Sequence, residues 1–262
     1  MRASERAFVL EGAKLVNEAL DAGVALEALF VAPGGDDTAA LRPLVERASA
    51  AGVRVHGLGP GVLERVAATV TPQPVLAVAP WCDVDLGRLA QASLVVVCVD
   101  VRDPGNAGTV LRSAEAAGAD GVVFCEGSVD VFNPKTVRAS AGAVFHVPVV
   151  RGGAPAEVLD RLGRWGLRRL AATARGGEAI DHTDLVRPLA LVIGNEASGL
   201  PAGLVGAVDV AVTIPMVGRA ESLNVGMAAA VVCFEALRQR RAAMAGGQPA
   251  GPSPVTPATL AP

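Results

Sequence analysis

The sequence predicts an α/β protein built around a parallel sheet. Short apolar runs alternate with segments of helical spacing, and this alternation is typical of parallel strands joined by helices. The runs predict strands at Leu94–Val99, Gly121–Phe124, Val147–Val150, Leu170–Ala172, Leu189–Ile193 and Val210–Thr213. The segments between them predict helices at Ala107–Ala117, Pro134–Ser140 and Pro155–Trp165. Hydrophobic residues make up 51% of the chain, which is enough for a sizeable core.

The first 78 residues predict a smaller α/β domain. Helical spacing runs through residues 7–20 and stops at Gly23. Three strands are expected at Leu26–Val31, Val53–Gly57 and Val75–Val78, with helices near Ala39–Ala51 and Pro60–Ala68. The predicted organisation is therefore a domain at 1–78, a linker at 79–92, a larger domain at 93–245, and a disordered, Pro/Gly-rich tail at 246–262.

The final helix is predicted at Leu223–Arg241. Ser222 stands where a capping residue is expected, and the basic last turn suits a helix carboxyl end. The helix carries small residues that permit close packing, namely Gly226, Ala229, Ala230 and Val231.

Charge and composition restrict the partners. The net charge is −3 and aromatic residues make up only 3%, with no tyrosine, so neither bulk positive charge nor aromatic stacking predicts nucleic-acid binding. Residues 1–78 hold seven basic against nine acidic side chains, so RNA recognition there would rely on shape. A local basic patch formed by Arg161, Arg164, Arg168 and Arg169 is still possible.

Cysteine and histidine usage gives no sign of a metal or a disulfide framework. Cys82, Cys98, Cys125 and Cys233 are scattered and form no CxxC pair, and the three histidines lie far apart. Buried free thiols in a reducing compartment are expected. No apolar run has the length of a membrane span or signal peptide, so a cytoplasmic protein is expected.

Three strand-to-loop segments carry the chemical interest. The first, Asp100–Gly118, opens on Asp-Pro-Gly and runs into a helix that Asn106 is expected to cap. Val110, Leu111, Ala114 and Ala117 form its apolar stripe. Arg112 lies off that stripe, and an arginine near a helix amino end suits an anion. The alternative is a capped helix with one solvated arginine.

The other two segments also follow apolar strands. Gly194-Asn195-Glu196 ends one strand, and Ile214-Pro215-Met216 ends another before Ser222 and Asn224. Alternatively, both segments are ordinary strand–turn–helix junctions. Neither GxGxxG nor GxxxxGK[ST] occurs, which argues against hydride transfer and NTPase chemistry.

Together the three segments resemble the three motifs of the SpoU (TrmH-like) class of SPOUT RNA methyltransferases. Two further stretches, Asn133–Gly142 and Phe8–Ala19, also resemble the family, the latter its amino-terminal substrate-binding domain. The resemblance implies a catalytic domain with a carboxyl-terminal trefoil knot. It also implies S-adenosylmethionine as cofactor, no metal, a homodimer whose site is completed across the interface, and methyl transfer to a ribose 2′-hydroxyl.

The resemblance also assigns site residues. The matching catalytic positions are Arg112, Asn106, Glu196, Ser222 and Asn224. Those for the cofactor are Thr173, Gly194, Ile214, Met216, Ser222 and Leu223, and those for RNA are Arg112, Arg138 and Lys14. A guanidinium is very hard to deprotonate, so we expect Arg112 to bind the adjacent phosphate and lower the pKa of the hydroxyl electrostatically.

Several functions stay open at this point. Ribosomal RNA is the first expected substrate and transfer RNA the second. A non-catalytic RNA-binding or assembly factor on the same scaffold is an alternative, although the full set of matching polar residues argues against it. The acidic pI of about 5.7 leaves a small-molecule α/β enzyme as a third reading.

Overall fold

The computed structural model describes residues 5–35, 38–67 and 72–245. The amino-terminal part folds around a four-stranded sheet of order β1-β4-β2-β3. Its strands are β1 (Ala7–Glu11), β2 (Ala28–Val31), β3 (Arg54–Gly57) and β4 (Val75–Pro80). Its helices are α1 (Ala13–Asp21), α2 (Arg42–Ala50) and α3 (Val62–Val66). This sheet is mixed, because β4 runs antiparallel to both β1 and β2, whereas β2 and β3 are parallel.

The second sheet has seven strands in the order β7-β6-β5-β10-β8-β11-β9, and every neighbouring pair is parallel. The strands are β5 (Leu94–Cys98), β6 (Gly121–Phe124), β7 (Val149–Arg151), β8 (Arg168–Ala172), β9 (Glu178–Ala179), β10 (Leu189–Ile193) and β11 (Val210–Thr213). The helices are α4 (Pro104–Ala116), α5 (Pro134–Ser140), α6 (Pro155–Arg164) and α7 (Val225–Ala245). The predicted α/β architecture is confirmed.

Helices cover both faces of the seven-stranded sheet. Its central strands β5 and β10 are buried along their whole length, as valine-rich runs require when no face is solvated. The predicted apolar stripe of α4 packs on one face, where α7 also lies, while Leu159 and Leu162 of α6 pack on the other. This arrangement brings the loops after β5, β8, β10 and β11 to one edge of the sheet.

The prediction of a helix over residues 7–20 is wrong for its first third. Residues Ala7–Glu11 form β1, and the helix begins only at Ala13. Phe8 and Leu10 alternate into the core and the segment pairs with β4, so tertiary pairing overrides the helical spacing. Gly12 makes the change of direction with a φ of 98°.

Both predicted caps at the site are wrong by two or three residues. Asp103, not Asn106, caps α4, since its Oδ1 accepts the Asn106 amide at 2.8 Å. Asn224, not Ser222, caps α7, since its Oδ1 accepts the Gly226 amide at 2.9 Å. The consequence is that the Asn106 side chain is released from capping and can serve the site.

The small residues serve packing within one chain. A Cβ on Gly226 would lie 2.8 Å from Cβ of Thr109 on α4, and one on Gly108 would lie 2.7 Å from the carbonyl carbon of Ala139 on α5. Both helices therefore approach α4 more closely than any larger residue allows. The exposed large apolar residues of α7 are instead Met227, Val231, Phe234 and Met244.

The remaining expectations have mixed outcomes. All four cysteines are free, and burial raises the pKa of the Cys125 and Cys233 thiols to about 12. The Arg161–Arg169 patch is neutralised in part, because Arg164 pairs with Asp160 and Arg169 with Asp209.

None of the helices in the described ranges is long and apolar enough to cross a membrane. The tail and Ala68 lie outside the described residues, and the trefoil knot stays a prediction.

Candidate active site

A cavity of about 220 Å³ lies at the carboxyl edge of the seven-stranded sheet. Its wall is built by the loops after β8, β10 and β11 and by the first turns of α7. Ligands of open parallel sheets bind at this edge. All six positions matched to the cofactor line it: Thr173, Gly194, Ile214, Met216, Ser222 and Leu223.

The loop after β10 is a tight turn closed on itself. Asn195 and Gly199 exchange backbone hydrogen bonds of 3.0 Å in each direction, and Gly199 has a φ of 68°. A Cβ on Gly194 would lie 2.6 Å from the Leu200 amide nitrogen, so only glycine fits where the two arms of the turn meet. The turn directs Glu196 toward the cavity, whose wall it joins.

Three polar side chains from three separate segments form one hydrogen-bonded chain. Nδ2 of Asn224 donates to Oδ1 of Asn106 at 2.8 Å, and Nδ2 of Asn106 donates to Oε1 of Glu196 at 2.8 Å. Asn106 is buried, so both halves of its amide are satisfied as burial demands. The chain fixes the amide orientation and joins the start of α4, the β10 turn and the start of α7.

The walls of the cavity combine apolar surface with unused backbone donors. Ile193, Val212 and Val225 supply the apolar part. Within the described ranges, the amides of Met216 and Leu223 donate to no backbone carbonyl. A flat, mostly apolar ligand with hydrogen-bonding edges suits this combination, and the adenine of S-adenosylmethionine is such a group.

Arg112 does not join this cavity. It lies on α4 six residues beyond Asn106, which places it about 120° away around the helix and about 9 Å along it. The side chain is exposed, and within the described residues it has no hydrogen-bonding or ionic partner. It lines a second, open cleft together with Lys14, Glu18, His146 and Phe234.

Of the other two residues matched to RNA binding, Lys14 shares the Arg112 cleft and Arg138 does not. Lys14 comes from α1, so the cleft lies between the amino-terminal part and the helices of the second part. Arg138 of α5 donates to Oε2 of Glu11 at 3.4 Å and is less than one-third exposed. Its guanidinium connects the two parts of the chain.

Asn195 and Asp100, which set the geometry of the turn after β10, are not among the predicted site residues. Asn195 donates from Nδ2 to the Asp100 carbonyl at 3.0 Å, and its Oδ1 accepts the Ala197 amide at 2.9 Å. Asp100 itself has a φ of 57°, a conformation that Asp tolerates better than most residues. An Asn following Gly at a strand end is the available signal for such a turn, as is the Asp-Pro pair for the α4 cap.

Two protein-family models match the chain. The SpoU rRNA Methylase family model matches residues 93–234, which is more than half of the chain. The chain belongs to the SpoU rRNA methylase family. A second model, the MRM3-like substrate binding domain, matches residues 1–77 of this SpoU methylase, so residues 78–92 lie between the two matched regions.

Named relatives and solved structures agree with this membership. The SpoU methylase is 35% identical over 233 residues to 23S rRNA (guanosine(2553)-2′-O)-methyltransferase RlmP of Bacillus subtilis, which covers 89% of each chain. An AdoMet-bound rRNA methyltransferase from Sinorhizobium meliloti has a TM-score of 0.80 and 32% identity, over 91% of this chain and 89% of that one. AviRb from Streptomyces viridochromogenes, also in complex with AdoMet, has a TM-score of 0.80 at 29% identity, over 92% and 93%.

Proposed function

We propose that the protein transfers the methyl group of S-adenosylmethionine to a ribose 2′-hydroxyl of ribosomal RNA. The observation that carries the proposal is the Asn224–Asn106–Glu196 chain at the rim of the cavity, in a member of a family of rRNA methylases. Each member of that chain comes from a different motif. RlmP of B. subtilis, a relative over most of both chains, is named for this reaction on 23S rRNA.

The cavity residues would hold the cofactor. Thr173, Ile214 and Leu223 lie at three separate loops of the wall, so they would hold the adenosine from several sides, with Gly194, Met216 and Ser222 completing it. When bound, S-adenosylmethionine supplies an electrophilic methyl group on a sulfonium, so no metal is needed. Apolar walls and backbone amides fit that molecule better than they fit a phosphorylated nucleotide, since no cationic side chain lines the cavity within the described residues.

Glu196 is the residue suited to orient the acceptor hydroxyl. One carboxylate oxygen is held by Asn106, and among the described residues the other has no partner. An ionised carboxylate accepts a hydrogen bond from a ribose hydroxyl and strengthens the nucleophile by drawing on its proton. Asn106 and Asn224 act as positioning residues, because they fix the carboxylate without reaching the acceptor.

Arg112 is the residue suited to the RNA phosphate. Its exposed guanidinium, which has no partner among the residues that the structure describes, can bind a phosphate with two parallel N–H donors. A positive charge next to the ribose lowers the pKa of the 2′-hydroxyl and stabilises the oxyanion that forms as its proton is drawn toward Glu196. The oxygen then takes the methyl group from the sulfonium, which leaves as a neutral thioether. Lys14 adds a second positive charge in the same cleft, and Arg138, which pairs with Glu11, would contribute by holding the cleft together.

The separation of Arg112 from the cofactor cavity favours a homodimer with shared sites. Arg112 lines its own cleft, and Phe234 of that cleft belongs to the exposed apolar row Met227, Val231 and Phe234 on α7. Pairing that row with its copy in a second chain would bury it and bring α4 of one chain toward the cavity of the other. In this proposal Arg112 serves the partner's cofactor site.

The test is methylation of defined RNA by the purified protein. With tritiated S-adenosylmethionine, label is expected in deproteinised 23S rRNA at one nucleotide that also resists alkaline cleavage. Label in transfer RNA alone would move the substrate to tRNA and overturn the ribosomal part of the proposal. No label in any RNA, with S-adenosylmethionine bound in calorimetry, would favour a non-catalytic factor. No cofactor binding would remove the methyltransferase proposal altogether. A ribosomal substrate agrees with the predicted cytoplasmic location.

A further inference from the structure

The predicted linker, residues 79–92, is hydrogen-bonded to both sheets. The Trp81 amide donates to the Arg6 carbonyl next to β1 at 2.8 Å, which continues the β1–β4 ladder. Three residues later the Val84 amide donates to the Val149 carbonyl of β7 at 2.8 Å, and Asp83 forms a bridge to Val149. A chain of four residues spans at most about 14 Å, so the connection between the sheets has little slack.

Trp81 lies partly buried at the centre of this connection. The Arg151 guanidinium lies 3.8 Å from the centroid of its ring, and the Arg6 guanidinium lies 5.3 Å from it. Both arginines also form ion pairs with Asp83. Nη2 of Arg6 lies 3.2 Å from its Oδ1, and Nη1 of Arg151 lies 4.0 Å from its Oδ2. The indole N–H is buried with no acceptor in the described part of the chain, so packing and cation–π contact hold the ring rather than a hydrogen bond.

The ring also belongs to an aromatic column that crosses from one part to the other. Trp81 stacks on Phe132, Phe132 on Phe8 of β1, and Phe8 on Phe145. The ring centroids of these pairs lie 5.7, 4.7 and 6.2 Å apart, respectively. The chain has only six phenylalanines and two tryptophans, and half of these residues belong to this one aromatic column. Two polar links lie beside it, Glu11 with Arg138 and Glu18 with His146.

We infer that residues 79–92 act as a rigid joint that fixes the amino-terminal domain relative to the methyl-transfer site, with Trp81 as its central positioning residue. The inference rests on the proposed function, because it concerns how RNA reaches that site. Two modules joined rigidly in the binding geometry hold a shared ligand more tightly than modules joined by a flexible linker. The acidic balance of residues 1–78 makes this geometry more important, since charge alone captures RNA poorly there.

The first test needs no RNA. In hydrogen exchange of the wild-type protein, the Trp81 and Val84 amides are expected to exchange as slowly as amides of β6, and exchange at the rate of an unstructured peptide would overturn the rigid joint. In Trp81→Ala, exchange at positions 81 and 84 is expected to accelerate while β5 and β10 stay protected. If that variant does not fold, Arg151→Gln removes the closest cation and is tested in the same way.

The second test separates positioning from chemistry. Trp81→Ala is expected to raise the KM for 23S rRNA about 10-fold, with kcat and S-adenosylmethionine affinity changed less than about 2-fold. Trp81→Phe is expected to recover most of the loss, because it keeps the stack on Phe132. The matched control is Trp165→Ala, since Trp165 also lies under an arginine, Arg161 at 5.1 Å, but outside the joint. An unchanged KM in Trp81→Ala, or a fall in kcat alone, would overturn the inference. Failure of the wild type to methylate any RNA would instead overturn the proposed function, and the exchange test would still decide the joint.

Discussion

The two ends of α4 differ in how far their polar side chains are already organised. At the amino end, Asn106 is buried and bonded to Asn224 and Glu196. Toward the carboxyl end, Arg112 is exposed and has no partner within the described residues. The two ends of one helix therefore lie at two different subsites. In our proposal the chain itself builds the cofactor side in advance, whereas RNA and a second copy of the chain complete the arginine side.

The largest effect is expected from Arg112→Ala. If Arg112 stabilises the developing oxyanion, methyl transfer falls about 100-fold or more, because a preorganised charge in a site contributes on that scale. S-adenosylmethionine affinity and the melting temperature are expected to stay unchanged, since the side chain is exposed and lies outside the cavity. Arg164→Ala on α6 is the control, because Arg164 is an exposed arginine on the other face of the sheet. Equal losses in both variants would show a general charge effect and contradict the assignment.

Asn106→Ala tests the other end of the helix. It removes both hydrogen bonds that link Asn224, Asn106 and Glu196, so Asn224 and Glu196 lose their shared partner. We expect a loss of about 1–3 kcal/mol in unfolding free energy and a fall in turnover of about 10-fold or more. Equilibrium unfolding and single-turnover methylation measure the two effects. Unlike Arg112→Ala, this variant is expected to be less stable, and wild-type stability with full turnover would show that the hydrogen-bonded chain has no role.

Gly108→Ala tests whether α4 must lie against α5. The added methyl group would lie 2.7 Å from the Ala139 carbonyl carbon and 2.8 Å from the Ser140 amide nitrogen, both backbone atoms that cannot rotate away. Separation of the helices is expected to lower the unfolding free energy by about 1–3 kcal/mol. Gly203→Ala, at a site with open space, is the control for the loss of a glycine. Calorimetric melting in which both variants behave alike would contradict the close packing.

The smallest effect is expected from Asp120→Asn, just beyond α4. Partial burial raises the pKa of Asp120, but hydrogen bonds from the Leu94 and Ser93 amides outweigh it and hold the pKa below its ordinary value of 3.8. A lowered carboxyl pKa stabilises the fold above the ordinary value and ceases to do so as the pH falls through the lowered one. The variant is therefore expected to be less stable than wild type at pH 7 by less than about 1 kcal/mol, and equally stable in acid. A difference that does not depend on pH in denaturant titrations would contradict this origin.

Strand positions in the second part could be predicted closely from the sequence. The bounds of β6, β10, β11 and α5 agree with prediction to the residue, because buried parallel strands read as unbroken apolar runs and Pro134 marks a helix start. β9 was missed, since two residues carry no periodicity, and β1 was read as helix because its pairing with β4 is non-local.

The candidate site was predictable in its members but not in their roles. Capping residues occur in close succession at both helix starts, Asp103 with Asn106 and Ser222 with Asn224, and only the backbone geometry decides which one caps. The grouping of the cavity residues came from the resemblance, because spacing along the chain does not show which loops meet. The sequence predicts residues 79–92 only as a linker, since Arg6 and Arg151, which contact Trp81, are remote from it in sequence.

Mixing two inactive variants tests the shared site most directly. Arg112→Ala and Glu196→Ala would each be purified, unfolded together in equal amounts and refolded, with mass spectrometry to establish that mixed dimers form. Half of the dimers would be mixed, and each would hold one site with both residues intact if Arg112 serves the partner's cavity. A shared site predicts about a quarter of wild-type methylation of 23S rRNA from two variants that are almost inactive alone. Activity no higher than that of the separate variants, with mixed dimers present, would contradict it and place Arg112 and Glu196 in the same chain's site.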